Sequence, residues 1–281
     1  MKIYIPTRSR FTTAELSRGP LALMSKEWVD NTYLVTPFDQ QMYYLDSVAE
    51  LKADKIIKGT PHIIGWSYDG IAEKRTMIGA HAESMKHKKF MMLDDDINFL
   101  KRVSPDRVNQ TTIRDSRDID VMLSSVSNHL CLYPQVAVGL REGNNHAGPG
   151  PAPLVSEVGK AIRAVAYRTE VYRAVETNRV RTMSDYDTTL QILELGYKNA
   201  VLNFWMSGQK GTNTPGGCAD WRTHAVHEES IQRMVEMHGA DICKPRQKAN
   251  KGGGEFGHRM ELTIFWKKAY EKGVKKYGAK N

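Results

Sequence analysis

Cysteine is scarce in this sequence. Three occur in 281 residues, Cys131, Cys218 and Cys243, widely separated and never as a CxxC pair. That spacing excludes a disulfide framework and a structural zinc ribbon, and it points to a reducing, cytoplasmic setting. Long apolar runs are also missing. No stretch approaches the ~18 apolar residues that span a bilayer, and the opening MKIYIPTRSRF has no apolar h-region, so a soluble chain is expected. Three signatures are absent as well: a GxxxxGK[ST] phosphate loop, a GxGxxG between strand and helix, and HExxH, since Ile231 stands four after His227. P-loop kinase, dinucleotide oxidoreductase and zinc protease chemistry therefore lack support. What is present is ample apolar material, 41% of the chain, enough for one large domain or two small ones with a real core.

Acidic residues are few at one end only. Residues 244–281 hold 11 Lys and Arg against 3 Glu, a net +8 that equals the charge of the whole chain, so residues 1–243 balance. A division follows: a domain over 1–243 and a basic segment over 244–281. The basic segment suits nucleic-acid phosphates, with Phe256, Phe265, Trp266 and Tyr270 available to stack. A solvated amphipathic helix over about residues 261–276 is the plainer reading of the same charges.

Apolar periodicity gives alternating strands and helices. KIYIP, TYLVT, DKIIKG and KFMML read as strands. Thr12 to Met24, QQMYYLDSVAEL and Gly70 to Met85 read as the helices between them. This βαβαβαβ order implies a parallel sheet in an α/β fold, with ligands at the carboxyl ends of the strands. YPQVAVGL reads as a later strand.

The fourth strand ends in three aspartates, Asp94, Asp95 and Asp96. Like charges there resist desolvation, and water, basic groups or a divalent cation must offset them. The alternative is a solvated acidic turn opening a helix at Asp96. An EF-hand is excluded, because Phe99 and Pro105 stand where its loop needs Gly and Glu. A haloacid-dehalogenase-type phosphatase carries its DxD on the first strand, followed by Thr or Val, and this triplet does neither.

Four stretches in order, IYIPTRSR, GIAEKRTMIGAHA, FMMLDDDI and MSDYDTTLQILELGYK, resemble the GT-A glycosyltransferases that use nucleotide-diphosphate sugars. The resemblance implies a Rossmann-like, mostly parallel sheet flanked by helices, and a nucleotide-sugar donor, a UDP-sugar by preference. It implies donor contacts from Thr7, Arg8, Arg10, Asp39, Arg75, Asp94 and Asp95. It further implies a divalent cation, Mn2+ or Mg2+, on Asp96 and Asp94 with a late histidine, His227 or its neighbour His224. Asp185 matches the position of the catalytic base, with Asp187 two residues on. Ser184, Thr188 and Gln191 depart from that family's usual Glu, Leu and Arg. Ser184 or Asp185 would equally serve as a helix N-cap. Direct displacement would invert the anomeric centre, and retention stays open.

REGNNHAGPGPAPL and SGQKGTNTPGGCADW read as loops over the site, with Asn145 and His146 near an acceptor. In overall organisation the chain is similar to phage DNA glycosyltransferases that accompany base-oxidising dioxygenases. That likeness implies DNA as partner, 5-hydroxymethylcytosine as acceptor, a phage-infected bacterial cytoplasm, no membrane, and a monomer or weak oligomer. A carbohydrate acceptor, a sugar nucleotidyltransferase and a non-catalytic DNA-binding protein are the other readings.

Overall fold

In this computed structural model, residues 1–67, 70–106, 109–141, 153–209, 223–249 and 258–280 are described. The first four strands, β1 (Lys2–Pro6), β2 (Thr32–Pro37), β3 (His62–Trp66) and β4 (Lys89–Leu93), pair in parallel in the order β3-β2-β1-β4. Between them run the short helices α1 (Thr13–Leu16) and α2 (Lys26–Asp30), then α3 (Gln41–Ala53) and α4 (Ile71–Ser84). Beyond β4 the sheet gains β5 (Ile97–Arg102), β6 (Gln110–Thr112), β7 (Gln135–Leu140), β8 (Val155–Glu157), β9 (Ala164–Arg168) and β10 (Ala200–Gln209). Helices α5 (Ser116–His129), α6 (Thr169–Arg173) and α7 (Ser184–Glu194) accompany this half. β9, β5 and β8 run antiparallel to their neighbours, which leaves seven of the ten strands pointing one way.

The sheet is buried on both faces, as its apolar strands require. Ile3 and Ile5 of β1 and Met91 and Leu93 of β4 face one core. Tyr4, Phe90 and Met92 face the other. Each such side chain contributes about 1.5–3 kcal/mol by leaving water.

The C-terminal portion comprises α8 (His224–His238), the ribbon β11 (Cys243–Ala249) and β12 (His258–Ile264), and α9 (Trp266–Tyr277). It shares a third core with α7, built from Leu190, Leu193, Met234, Cys243 and Ala269. A Cβ on Gly273 would lie 2.3 Å from the Leu193 carbonyl oxygen, so only glycine lets α9 approach α7 this closely.

Four expected elements are corrected. The third strand is HIIGW, not DKIIKG: Lys55 adopts a left-handed φ of 59° after α3, and the Ile56 amide donates back to the Leu51 carbonyl at 2.9 Å. The proposed helix from Thr12 to Met24 ends at Leu16, and Pro20 opens a separate 3-10 turn over Pro20–Leu23. Residues 258–264 are a strand, because Met260, Leu262 and Ile264 alternate at period two, and the helix begins only at Trp266. Asp96 opens no helix, since β5 starts at the next residue.

Candidate active site

The triplet lies where the parallel strands end. The Asp94 amide donates to the Arg163 carbonyl at 2.8 Å, fixing the end of β4 against the turn into β9. Each carboxylate then meets a different element. Arg75, on α4, places Nη2 3.9 Å from an Asp94 oxygen and 3.7 Å from an Asp185 oxygen, while its Nη1 donates to Ser184 Oγ at 2.7 Å. Burial works against the charge on Arg75, but Asp185 and Asp94 outweigh it and keep the guanidinium protonated.

Asp95 closes a chain of directed hydrogen bonds. The Arg10 amide donates to Tyr44 Oη at 3.2 Å, Tyr44 donates to Thr7 Oγ1 at 2.8 Å, and Thr7 donates to Asp95 at 2.6 Å. The Arg10 guanidinium bonds Asp95 and reaches Asp96 at 3.2 Å. Gln209, at the end of β10, donates to the other Asp96 oxygen at 2.6 Å. Lys74 holds the Thr7 carbonyl at 3.3 Å.

In the ion pairs described, four carboxylates (Asp94, Asp95, Asp96 and Asp185) share two guanidiniums, Arg10 and Arg75. The effect is sharpest on Asp94. Burial pushes its carboxyl up to about 7, with Asp96, Asp185 and Asp95 adding to the rise and Arg75 opposing it. Burial also raises Asp95, against the pull of Arg10 and Thr7. The donors are hard oxygens short of positive charge, which fits a divalent cation. Among the described residues, no group of three or more His, Cys, Asp or Glu side chains forms a self-contained metal cage. The fit is therefore to an ion that takes one or two carboxylates from the protein and its remaining oxygens from phosphate and water.

Arg8 and Asp39 line an open cleft of about 370 Å³ together with Phe38, Gln40, Trp66 and Ser67 at the ends of β2 and β3. Thr7 and Arg10 connect this cleft to Asp95. Asp185 stands at the start of α7, whose N-cap is Met183 in a left-handed conformation (φ 62°) with no side-chain cap, so neither Ser184 nor Asp185 is the cap.

Two expected site residues are placed elsewhere. Asp187 is fully buried and bonded by Arg179, by His238 Nε2 at 2.8 Å and by Gln191 at 3.1 Å, which fits it for locking α7 rather than for accepting a proton from substrate. His227 is buried with Nδ1 3.3 Å from Thr182 Oγ1 and Nε2 3.0 Å from the Met260 carbonyl, so both ring nitrogens are engaged away from the aspartates. His224 is the first residue of α8. Asn145 and His146 lie outside the described residues, as does most of the second loop. Ser184, Gln209, Tyr44 and Arg163 were not expected as partners of the site. Only Ser184, beside Asp185, carried any local signal.

A family model for TET-associated glycosyltransferases matches residues 1–217. The chain belongs to the TET-associated glycosyltransferase family. The match ends before α8, so the ribbon and α9 lie beyond it. No curated protein matches the chain. Among solved structures, this TET-associated glycosyltransferase is similar to S. aureus TarS residues 1–349 in complex with UDP, with 12% identity and a TM-score of 0.41 over 84% of this chain and 66% of that one. It is also similar to the mannosyltransferase PcManGT from Pyrobaculum calidifontis in complex with GDP-Man and Mn2+, with 13% identity and a TM-score of 0.45 over 84% and 63%. The chain thus spans about two thirds of the length of each. Among the described residues, no helix is long and apolar enough to cross a membrane.

Proposed function

We propose that this glycosyltransferase moves a sugar from a nucleotide-diphosphate sugar, a UDP-sugar by preference, to the hydroxyl of a modified DNA base such as 5-hydroxymethylcytosine. The observation that carries the reading is the shared guanidinium of Arg75, which brings the acidic end of β4 and the start of α7 together. A transferase needs both: one side for the leaving diphosphate, the other for the incoming hydroxyl.

The nucleoside end of the donor fits the cleft of Arg8, Asp39 and Trp66. Thr7 and Arg10 hold Asp95 rigid between that cleft and the reacting centre, so the diphosphate falls beside Asp94 and Asp96. Those two residues would hold a divalent cation, which when bound offsets charge on the departing diphosphate. Asp185 accepts the proton of the acceptor hydroxyl as the oxygen attacks the anomeric carbon. Arg75 orients Asp185. Direct displacement in this arrangement inverts the anomeric centre.

The DNA acceptor is supported by family membership and by the +8 carried on residues 244–281. The test is mass analysis of nucleosides from hydroxymethylcytosine DNA incubated with the protein, Mn2+ and a panel of UDP-sugars. A nucleoside heavier by one sugar supports the reading. Donor turnover with unaltered nucleosides rejects the acceptor.

A further inference from the structure

The β11–β12 ribbon has two unlike faces. Cross-strand partners share a face, and the register pairs Lys244 with Thr263, Arg246 with Glu261 and Lys248 with Arg259. The intervening pairs are Cys243 with Ile264, Pro245 with Leu262 and Gln247 with Met260. Cys243, Leu262 and Ile264 pack into the core shared with α7 and α9, so the second face is turned inward at that end of the ribbon, while Pro245 and Gln247 further along it are exposed. Among the described side chains of the first face, Lys244, Arg246 and Arg259 are basic and Glu261 is acidic. That one carboxylate is shared, at 2.7 Å from Arg259 and 3.5 Å from Arg246. Arg246 keeps 56% of its side-chain exposure, and Lys244 is exposed.

This face is tied to the candidate base. Tyr186 follows Asp185 and packs against the same core as Leu262 and Ile264. Its ring meets Trp266 edge-on at 5.9 Å, and Lys160 Nζ lies 5.0 Å from its centre. Burial raises the Tyr186 phenol, with the carboxylates of Asp185 and Glu261 adding to the rise and Arg163 and Arg259 opposing it, so Tyr186 lies within electrostatic reach of both Asp185 and the ribbon. The lysines further along engage other groups: Lys272 of α9 is bonded to Glu194, Lys276 of α9 lies over Tyr277, and Lys280 beyond the helix lies over the same ring.

We propose that the β11–β12 ribbon, through the exposed Lys244 and Arg246 of β11, holds the phosphodiester backbone of the acceptor DNA beside Asp185. The proposal rests on the DNA-acceptor reading above. The partner is set by charge: a regular polyanion matches a row of cations spaced along a strand, and each phosphate so contacted releases counterions. The backbone grip positions the strand and leaves recognition of the modified base to the site itself.

The test uses the full chain. Lys244→Ala/Arg246→Ala removes two exposed charges. Lys88→Glu changes net charge equally, at the opposite end of β4 from the aspartates. For the double variant, the expected result is a roughly tenfold rise in KM for a hydroxymethylcytosine duplex and a salt slope shallower by about 0.9 for each lost contact. Donor hydrolysis without DNA and the thermal midpoint should stay at wild-type values, and Lys88→Glu should leave the duplex KM within about twofold of wild type. Filter binding of an unmodified duplex should show the same weakening. Equal duplex affinity and salt slope in the double variant and in Lys88→Glu overturns the proposal. A wild-type enzyme that hydrolyses donor but never glycosylates DNA instead removes the acceptor reading, and this inference with it.

Discussion

Asp94, at the end of β4, and Asp185, at the start of α7, sit on one guanidinium: Arg75 Nη2 is 3.9 Å from the first carboxylate and 3.7 Å from the second. Two segments 91 residues apart in sequence are thereby coupled through a single cation. Replacing Arg75 with Gln leaves both carboxylates in a poorly solvated site without their counter-ion. The expected cost is about 3 kcal/mol by denaturant unfolding, with transfer abolished. Added Mn2+ should restore part of the stability but not the transfer. A variant as stable as wild type would show that Arg75 is not the link.

Asp185→Asn preserves shape and removes the base. Sugar transfer should fall by about 10²–10⁴-fold, with the KM for the donor unchanged, because the proposed donor contacts are at Asp94, Asp95 and the Arg8 cleft. A variant that loses donor affinity instead of turnover would place Asp185 on the donor side.

Asp94 gives a pH signature. Its carboxyl is pushed up to about 7, above the unfolded value of ~3.9. The proton therefore stabilises the fold fully below the unfolded value, and that stabilisation is lost as pH rises through about 7. Above it, the ionised Asp94 is a liability. Asp94→Asn should raise alkaline stability by roughly 1–2 kcal/mol, allowing for its partial solvent access and the lost contact with Arg75, while ending donor turnover. A divalent cation that displaces this proton binds more tightly as pH rises, with affinity falling about tenfold per pH unit below the transition. Calorimetric titration of Mn2+ across that range measures it, and a flat affinity contradicts it.

Three of the first four strands and the acidic end of β4 were legible in the sequence because buried parallel strands are written as short apolar runs and three adjacent aspartates stand out against them; the third was displaced from DKIIKG to HIIGW. Asp185 was legible only through its likeness to a known helix start. The partners that shape the site were not. Gln209 reaches Asp96 from 113 positions away, Tyr44 is an ordinary helix aromatic until folding sets it on Thr7, and the left-handed Met183 gives no pattern at all. His227 and Asp187 share one physical circumstance: both are polar residues near motif positions, and both are buried against protein partners. The C-terminal basic segment read as a helix from about residue 261 because its charge is helical in density, although its apolar residues alternate as a strand through Ile264.

His238 is the latch between α7 and the C-terminal elements. Its Nε2 bonds Asp187 at 2.8 Å and its Nδ1 bonds Glu194 at 3.0 Å, so both nitrogens donate only when the ring is cationic. Burial alone would lower the imidazole, but the bonds to Asp187 and Glu194 outweigh it and raise it. Its contribution is thus full below the unfolded value of ~6.5 and is lost as pH rises through the higher native one. His238→Gln should cost about 2 kcal/mol in mildly acidic buffer and progressively less in alkaline buffer. Thermal unfolding of both proteins across that range checks it. A penalty that grows with pH contradicts the assignment.

The central claim is tested most directly by one mass measurement. Hydroxymethylcytosine DNA is incubated with the protein, Mn2+ and individual UDP-sugars, beside Asp185→Asn, and its nucleosides are weighed. The account predicts a hydroxymethylcytosine nucleoside heavier by one hexose or pentose with wild type, and a trace or none with the variant. Unmodified nucleosides with every donor, or equal product from both proteins, would contradict it.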